Sequence, residues 1–155
     1  MTRERQDYRT VVKPEWIDHN GHMNVAYFVV ASDEATDTVY EDWGLGLSYP
    51  KESGCSVFTL GMNVDYLGEL FEGDALRIAT TLVDHDSKRV HYVHQMHKDD
   101  TGQLVATNEC LCMNVNLTTR KSKPFPDSVR SVLDAETLRG DLPESVGRTL
   151  EIRRG

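Results

Sequence analysis

The residues best suited to chemistry stand close together in the stretch D-H-N-G-H-M-N at residues 18–24. Asp18 supplies a carboxylate, which can act as a general base towards water or as a nucleophile towards an activated acyl carbon. His22 supplies an imidazole that titrates near neutral pH, and Asn20 supplies an amide that can donate to a carbonyl oxygen. Gly21 lets the backbone approach a bound molecule closely. Together these groups are able to polarise a carbonyl group and to direct an attacking oxygen at it.

Each of these residues also has a purely structural interpretation. A loop aspartate such as Asp18 is commonly satisfied by nearby backbone N–H groups in an Asx turn. His22 is open to a role as a hydrogen-bonded turn residue, and Asn24 to a role as the cap of the next helix. A functional interpretation is favoured by the spacing, because four polar residues of this kind fall within seven positions around one glycine.

One long helix must position this stretch, because apolar residues recur at helical spacing from residue 24 to residue 43. Asn24 is suited to the N-cap, and Gly44 is the residue type that commonly ends a helix. The first turn of such a helix presents free backbone N–H groups and the positive end of the helix dipole. The N–H of Val25 is therefore a candidate donor to a developing oxyanion.

The acidic residues of this helix, Asp33, Glu34 and Asp37, fall away from its apolar stripe. A solvated face is the ordinary interpretation of such a pattern. Glu34 is open to a second interpretation, in which it faces a pocket at a dimer interface.

The rest of the chain is dominated by strand-forming residues. A short β-like run occupies residues 8–13, and four longer β-rich segments cover residues 56–66, 74–83, 89–97 and 104–117. The short loops between the four predict antiparallel neighbours in a meander. A further helical pattern covers residues 127–138.

One long helix and several long strands bury their apolar faces best when the sheet curls around the helix. The sequence therefore predicts one α+β domain over residues 1–155, with its core at about residues 8–126 and a polar helix and tail at residues 127–155. The outer sheet face and the sheet edges remain available for a second copy, so a homodimer or homotetramer is expected.

Composition excludes several partners. The formal net charge of −8 argues against nucleic acid, and no apolar run approaches the ~20 residues of a membrane span. The amino terminus lacks the apolar run of a signal peptide. With Cys55, Cys110 and Cys112 expected as buried free thiols, a reducing cytoplasm is the predicted location.

Metal and cofactor chemistry is not supported. His91, His94 and His97 have a spacing that suggests a metal cluster, but on a strand His94 points to the face opposite the other two. The chain carries neither a phosphate-binding loop nor a dinucleotide fingerprint nor a serine-hydrolase elbow. No metal and no cofactor are therefore expected.

The motif at residues 18–24 and the later stretch V-D-Y-L-G-E-L-F-E-G-D at residues 64–74 resemble acyl-CoA thioesterases of the hotdog fold, the 4-hydroxybenzoyl-CoA thioesterase-like group. The resemblance covers roughly residues 8–126. It implies a long antiparallel sheet wrapped around one central helix and hydrolysis of a small acyl-CoA thioester to the free acid and CoA. It also implies that the helix N-terminus at Val25 polarises the thioester carbonyl.

The resemblance further implies catalytic roles for Asp18, Asn20 and His22. A similar motif in plant acyl-ACP thioesterases implies such a role for a glutamate on the next strand, which corresponds to Glu69. The sequence departs from many acyl-CoA thioesterases of this group at Val25, where they carry a second asparagine. Which carboxylate dominates, Asp18, Glu34 or Glu69, therefore stays open.

A closer resemblance, over residues 16–23 and 35–37, is to the thioesterase region fused to carnitine dehydrogenases. It implies betainyl-CoA as a candidate substrate, whose trimethylammonium group favours an aromatic or acidic pocket. The residues expected to bind substrate are Gly21, Asn24, Val25, Tyr27, Phe28, Glu34 and Tyr66. The basic residues expected to hold the CoA phosphates, if they are not ordinary surface charge, are Lys88, Arg89, Arg120 and Lys121.

Two other functions remain compatible with the same residues. One is a non-catalytic module that binds acyl-CoA or an acyl carrier, and the other is a dehydratase of the hotdog fold. The length of the acyl chain and the choice between CoA and a carrier protein stay open as well.

Overall fold

The computed structural model describes residues 7–136, 142–151 and 154. Its strands are β1 (Tyr8–Val11), β2 (Cys55–Tyr66), β3 (Ala75–His85), β4 (Arg89–Lys98) and β5 (Leu104–Asn116). Its helices are α1 (Val25–Trp43), α2 (Tyr49–Ser53) and α3 (Asp127–Ala135), with one 3-10 turn at Pro14–Trp16. The last two residues of the predicted helix at 127–138 lie outside the described residues.

The strands form one antiparallel sheet in the order β1-β3-β4-β5-β2. The sheet curls around α1, which contacts β1, β3, β4 and β5. The predicted α+β architecture, a long antiparallel sheet around one central helix, is therefore confirmed.

The predicted meander is correct for β3, β4 and β5 but wrong for β2. Instead of pairing with β3, β2 pairs with β5, so the chain crosses the sheet between Tyr66 and Ala75. This crossover segment (residues 67–74) is not a hairpin turn, because its Leu70 is fully buried and accepts the Met23 N–H at 2.7 Å through its backbone oxygen. The segment supports the motif instead of linking two neighbouring strands.

Helix α1 begins and ends as local chemistry predicts. The Asn24 side chain accepts the Ala26 N–H, and Gly44 follows the last turn with a φ of 78°. The apolar face of α1 packs on the sheet in two clusters of buried side chains. The cluster at the amino-terminal end includes Trp16, Met23, Phe28 and Leu70.

This amino-terminal cluster explains why the motif has a defined shape. Trp16 and Met23 flank the polar residues and are both buried, with 3% and 0% of their surface exposed. Truncating a fully buried leucine such as Leu70 costs about 2–5 kcal/mol. The buried side chains on either side of the motif therefore hold the ends of the polar loop in place.

All three cysteines, Cys55, Cys110 and Cys112, are free and buried, as predicted. Within the residues that the structure describes, no helix is long and apolar enough to span a bilayer.

Candidate active site

The motif turn (residues 18–24) is a closed loop between two backbone segments that pair with each other. Ile17 and Met23 form an antiparallel bridge, and the Asp18 N–H donates to the His22 oxygen at 3.2 Å. Inside the loop, the Gly21 N–H donates to the Asp18 oxygen at 3.0 Å. Gly21 has a φ of 81°, a conformation that glycine adopts without strain. This is why a glycine stands at the tip of the loop.

The Asp18 carboxylate accepts one hydrogen bond on each oxygen. Oδ2 accepts from Asn24 Nδ2 at 2.9 Å, and Oδ1 accepts from the Asn20 N–H at 2.8 Å. The Asn24 amide, the Asn20 N–H and the nearby His19 and His22 lower the pKa of Asp18 below its ordinary value. Asp18 is thus ionised at neutral pH and available as a base or a nucleophile.

The amino-terminal end of α1 begins directly after this carboxylate. Asn24 Oδ1 accepts the Ala26 N–H at 3.0 Å, and the Asn24 backbone oxygen accepts the Tyr27 N–H at 3.0 Å. In the described part of the chain, these bonds leave the Val25 N–H without an acceptor. With the helix dipole behind it, this N–H is able to donate to a negatively charged oxygen.

Aromatic side chains surround the helix end. Tyr27 stacks on Trp16 with ring centroids 5.7 Å apart, and Phe28 meets Tyr66 edge-on at 5.1 Å. The Tyr66 hydroxyl donates to the Val25 oxygen at 3.1 Å, which ties the end of β2 to the first turn of α1. Phe28 is 4% exposed and belongs to the core, whereas Tyr66 is 46% exposed and can contact a ligand.

Three comparisons with known proteins bear on this site. The model of the thioesterase-like superfamily matches residues 12–133 of the chain, which include the motif turn and the whole sheet except β1. The chain belongs to this superfamily.

Two relatives of this thioesterase-like chain illustrate its place in the superfamily. A betainyl-CoA thioesterase of Pseudomonas aeruginosa is 35% identical over 153 residues, which are 97% of this chain and 96% of the relative. An L-carnitine dehydrogenase/betainyl-CoA thioesterase of Rhizobium meliloti is 30% identical over 148 residues, which are 94% of this chain but only 30% of that longer relative.

Solved structures agree with the fold. A protein of Staphylococcus aureus solved in complex with CoA superposes with a TM-score of 0.90 at 29% identity, covering 99% of this chain and 98% of the other. A 1,4-dihydroxy-2-naphthoyl-CoA thioesterase of Synechocystis superposes with a TM-score of 0.75 at 18% identity, covering 83% and 95% of the two chains. The second likeness bears on the fold alone.

The remaining predicted catalytic residues of this thioesterase-like chain lie around Asp18 in different ways. Asn20 reaches Asp18 through its backbone N–H and not through its amide. His22 Nδ1 lies 3.1 Å from the Met23 oxygen, and because a carbonyl oxygen only accepts, Nδ1 is the protonated nitrogen in this bond. Glu69 is exposed in the crossover segment, after β2 has ended, and not on a strand as the resemblance implied.

Glu34 lies on the third turn of α1, where its Oε2 accepts the Tyr8 hydroxyl at 2.6 Å. Burial and the Glu34 carboxylate raise the pKa of Tyr8, so this hydroxyl stays protonated and donates. Glu34 is therefore held by β1 of its own chain, and the structure does not bring it into the motif turn.

The predicted phosphate-binding residues lie at the far end of the sheet from Asp18. Lys88 donates to the Ser122 hydroxyl at 3.2 Å, and Arg89 forms an ion pair with Asp86 that lowers the pKa of Asp86 to about 2. Arg120 and Lys121 are exposed just after β5. The distance of Arg120 and Lys121 from the motif turn can be read from the pairing of β5 with β2. Ala106 lies opposite Tyr66, near the motif turn, and Asn116 lies opposite Cys55, near the two cations. The ten residue steps from Ala106 to Asn116 span about 34 Å of extended chain, so one copy does not bring the four cations to Asp18.

An acid-lined cavity of about 240 Å³ separates the middle of α1 from the beginning of β2. Its lining includes Asp33, Asp37, Tyr40 and Glu41 from the helix side. Burial, together with the charges of Asp33, Glu34 and Glu41, raises the pKa of Asp37. Two of the three acidic residues predicted for a solvated face, Asp33 and Asp37, thus border a concave surface.

The histidines of β4 occupy different environments. His94 is buried between Thr36 of α1 and Thr80 of β3, at 2.8 Å and 2.7 Å. His91 lies on the opposite face, where Nε2 is 2.6 Å from Glu109. The predicted separation of these two side chains is confirmed, and within residues 7–136 and 142–151 no three ligating side chains cluster as for a metal ion.

Sequence reasoning missed two contacts of this site. The bond from Tyr66 to the Val25 oxygen joins residues that are 41 positions apart, and no local pattern predicts it. The bond from Asn24 to Asp18 is local, and the sequence contained a feature that indicates it. An N-cap asparagine has a free amide nitrogen once its oxygen caps the helix, and that nitrogen is able to donate to a nearby carboxylate.

Proposed function

We propose that this protein is an acyl-CoA thioesterase, which hydrolyses a small acyl-CoA thioester to the free acid and CoA. The observation that carries the proposal is the ionised Asp18 carboxylate beside a helix end whose Val25 N–H is available to a ligand. The names of the relatives support the same activity, since both include the hydrolysis of a CoA thioester.

The proposed reaction uses Asp18 as the base. The thioester oxygen accepts the Val25 N–H, and Asp18 takes a proton from a water molecule as its oxygen attacks the acyl carbon. The tetrahedral oxyanion then collapses, the carbon–sulfur bond breaks, and the proton held by Asp18 passes to the leaving sulfur. Water is the only co-reactant, so the proposed reaction needs no cofactor.

The alternative role of Asp18 is that of a nucleophile. Its oxygen would attack the acyl carbon and expel the CoA thiolate, and water would then hydrolyse the mixed anhydride. Label in Asp18 after a single turnover in ¹⁸O-labelled water identifies the nucleophile, because direct attack of water on the thioester never brings a water oxygen into the carboxylate.

The proposed acyl group is small and cationic, with betainyl-CoA as the first candidate. Both relatives carry betainyl-CoA thioesterase in their names. The exposed Tyr66 and the stacked Tyr27 at the helix end offer aromatic faces to a trimethylammonium group.

The test is a thiol-release assay with a matched pair of substrates. Betainyl-CoA and 3,3-dimethylbutanoyl-CoA have the same shape and differ by the positive charge. Each rate is divided by the hydroxide-catalysed rate of the same ester, because the cation activates the thioester by itself. A higher normalised kcat/KM for betainyl-CoA supports the cationic substrate, and an equal value contradicts it.

The same assay separates the proposal from its alternatives. Calorimetric binding of acyl-CoA without thiol release identifies a binding module, and loss of water from a 3-hydroxyacyl-CoA identifies a dehydratase. Release of thiol from any member of an acyl-CoA panel supports the hydrolase.

The proposed assembly is a homo-oligomer that pairs through β2. This strand is an edge of the sheet, 12 residues long, and its exposed apolar side chains include Phe58, Leu60 and Met62. Pairing of this edge with itself about a two-fold axis normal to the sheet is antiparallel. The Cys55 end of one copy, with its Arg120 and Lys121, would then lie beside the motif turn of the other, where the CoA phosphates could reach them.

The proposed location is the cytoplasm. Three free thiols are typical of a reducing compartment, and each of them is buried in the core.

A further inference from the structure

We infer that Asn24 is a positioning residue whose single side-chain amide caps α1 and orients the Asp18 carboxylate at the same time. The inference rests on the proposed function, because it assigns Asn24 a part in the reaction of Asp18. It differs from the substrate-binding role that the sequence suggested for this residue.

The helix determines which end of the amide faces Asp18. The Ala26 N–H can only donate, so the Asn24 atom that lies 3.0 Å from it is Oδ1. The planar amide then directs Nδ2 away from the helix, where it donates to Asp18 Oδ2 at 2.9 Å. A flipped amide would place two donors against each other at the cap and two acceptors against each other at Asp18.

The backbone of Asn24 is held as firmly as its side chain. Its N–H donates to the Trp16 oxygen at 2.9 Å, and its oxygen accepts the Tyr27 N–H at 3.0 Å. The neighbouring Met23 is fully buried, and its N–H donates to Leu70 at 2.7 Å. The amide therefore approaches Asp18 from a fixed base that belongs to the helix and the core.

The carboxylate receives its second bond from the motif turn itself. Oδ1 accepts the Asn20 N–H at 2.8 Å, so the two bonds hold the carboxylate plane between the turn and the helix end. Asn24 contacts both the carboxylate and the first helical turn, so it determines the orientation of Asp18 relative to the Val25 N–H.

The charged and titratable groups around Asp18 do not compete for this role. His19 and His22 of the motif turn favour the ionised carboxylate by charge alone. Glu69, on the crossover segment that packs against the turn, is exposed. Removal of the Asn24 donor should therefore raise the pKa of Asp18 towards its ordinary value.

The test uses substitutions that keep the cap and remove the donor. Asn24→Ser and Asn24→Thr both retain an oxygen that caps a helix well, but neither retains the amide nitrogen that reaches Asp18. We expect a melting temperature close to that of the native protein, a kcat reduced about 100-fold, and little change in KM. The acidic limb of the kcat profile should move to higher pH in both variants.

Asn24→Ala is the matched comparison, because it removes the cap and the donor together. A purely structural role predicts that only Asn24→Ala is impaired and that Asn24→Ser and Asn24→Thr keep native kcat and native pH profiles. That result would overturn the inference.

A carboxyl ¹³C NMR titration of Asp18 makes the test independent of turnover. The pKa of Asp18 should rise in Asn24→Ser and in Asn24→Thr, whether or not the native protein hydrolyses any acyl-CoA. An absence of turnover in the native protein would refute the proposed function, whereas an unshifted Asp18 titration would refute the role of Asn24.

Discussion

At the scale of single residues, the candidate site has the Asp18 carboxylate at its centre. Asp18 is bordered by a helix cap, a backbone N–H and two histidines, and all of them favour its ionised form. His22 stands two positions before Asn24 and offers an imidazole as a competing base. The two residues differ in the pH range over which they act as bases.

The pH dependence of turnover distinguishes these two bases. A base acts when it is deprotonated, and the pKa of Asp18 is below the ordinary value of 3.8. We therefore expect kcat/KM to stay constant as the pH falls from neutral to weakly acidic and to decline only near the lower limit of protein stability. Initial rates of thiol release in constant-ionic-strength buffers measure this. A decline centred near the pKa of a histidine, about 6.5, would assign the base to His22 instead.

The sequence predicted the composition of this site better than its geometry. The Asp18 carboxylate, the N-cap at Asn24 and the glycine at position 21 follow from short-range rules, since each depends on residues within a few positions. The bond from the Tyr66 hydroxyl to the Val25 oxygen depends on how distant segments meet. No spacing along the chain carries that information.

At the scale of elements, α1 connects the motif turn to the sheet. Its two ends are defined by an asparagine cap and by Gly44, whose φ of 78° places it in the left-handed region. The Gly44 N–H donates back to Glu41 and Tyr40, which completes the last turn. Any other residue at position 44 would have to adopt the same positive φ.

Gly44→Ala should therefore destabilise the protein by about 1 kcal/mol, because a positive φ is strained for alanine and is adopted freely by glycine. Urea unfolding at equilibrium measures the change. Gly61→Ala is the matched control, since Gly61 lies in β2 without a positive φ and with no atom near an added Cβ. Equal effects of the two substitutions would contradict the assigned role of Gly44.

The elements themselves were predictable to different degrees. Helix α1 and the four long strands were predicted from periodicity and from turn residues. Helix α2 was missed because five residues are too few for a helical period to show. The position of β2 was wrong because loop length alone does not reveal that the crossover segment is anchored by the buried Leu70.

At the scale of the whole molecule, the long edge of β2 is the feature that a second copy would cover. Leu60 is 52% exposed near the middle of this edge, where a two-fold axis would pass. An unpaired strand with apolar side chains is prone to association with a copy of itself. The proposed assembly covers this exposed edge and brings Arg120 and Lys121 of each copy beside the motif turn of the other copy.

Leu60→Lys should convert the oligomer to a monomer, because two lysines would face each other across the axis. Sedimentation equilibrium at several concentrations measures the mass. Val132→Lys on α3 is the matched control, because it adds the same charge at an exposed apolar residue away from the sheet edge. An unchanged mass of Leu60→Lys, or equal dissociation of both variants, would contradict pairing through β2.

Asp18 is the base of the proposed reaction, and the substitution Asp18→Asn removes that base. It keeps the size of the side chain and an oxygen that accepts the Asn20 N–H, but it removes the charge and the basicity. The measurement is kcat for thiol release from the best acyl-CoA of the panel, with the melting temperature as its companion. We expect a kcat lowered about 10²–10⁴-fold at an unchanged melting temperature. A kcat equal to that of the native protein would contradict it.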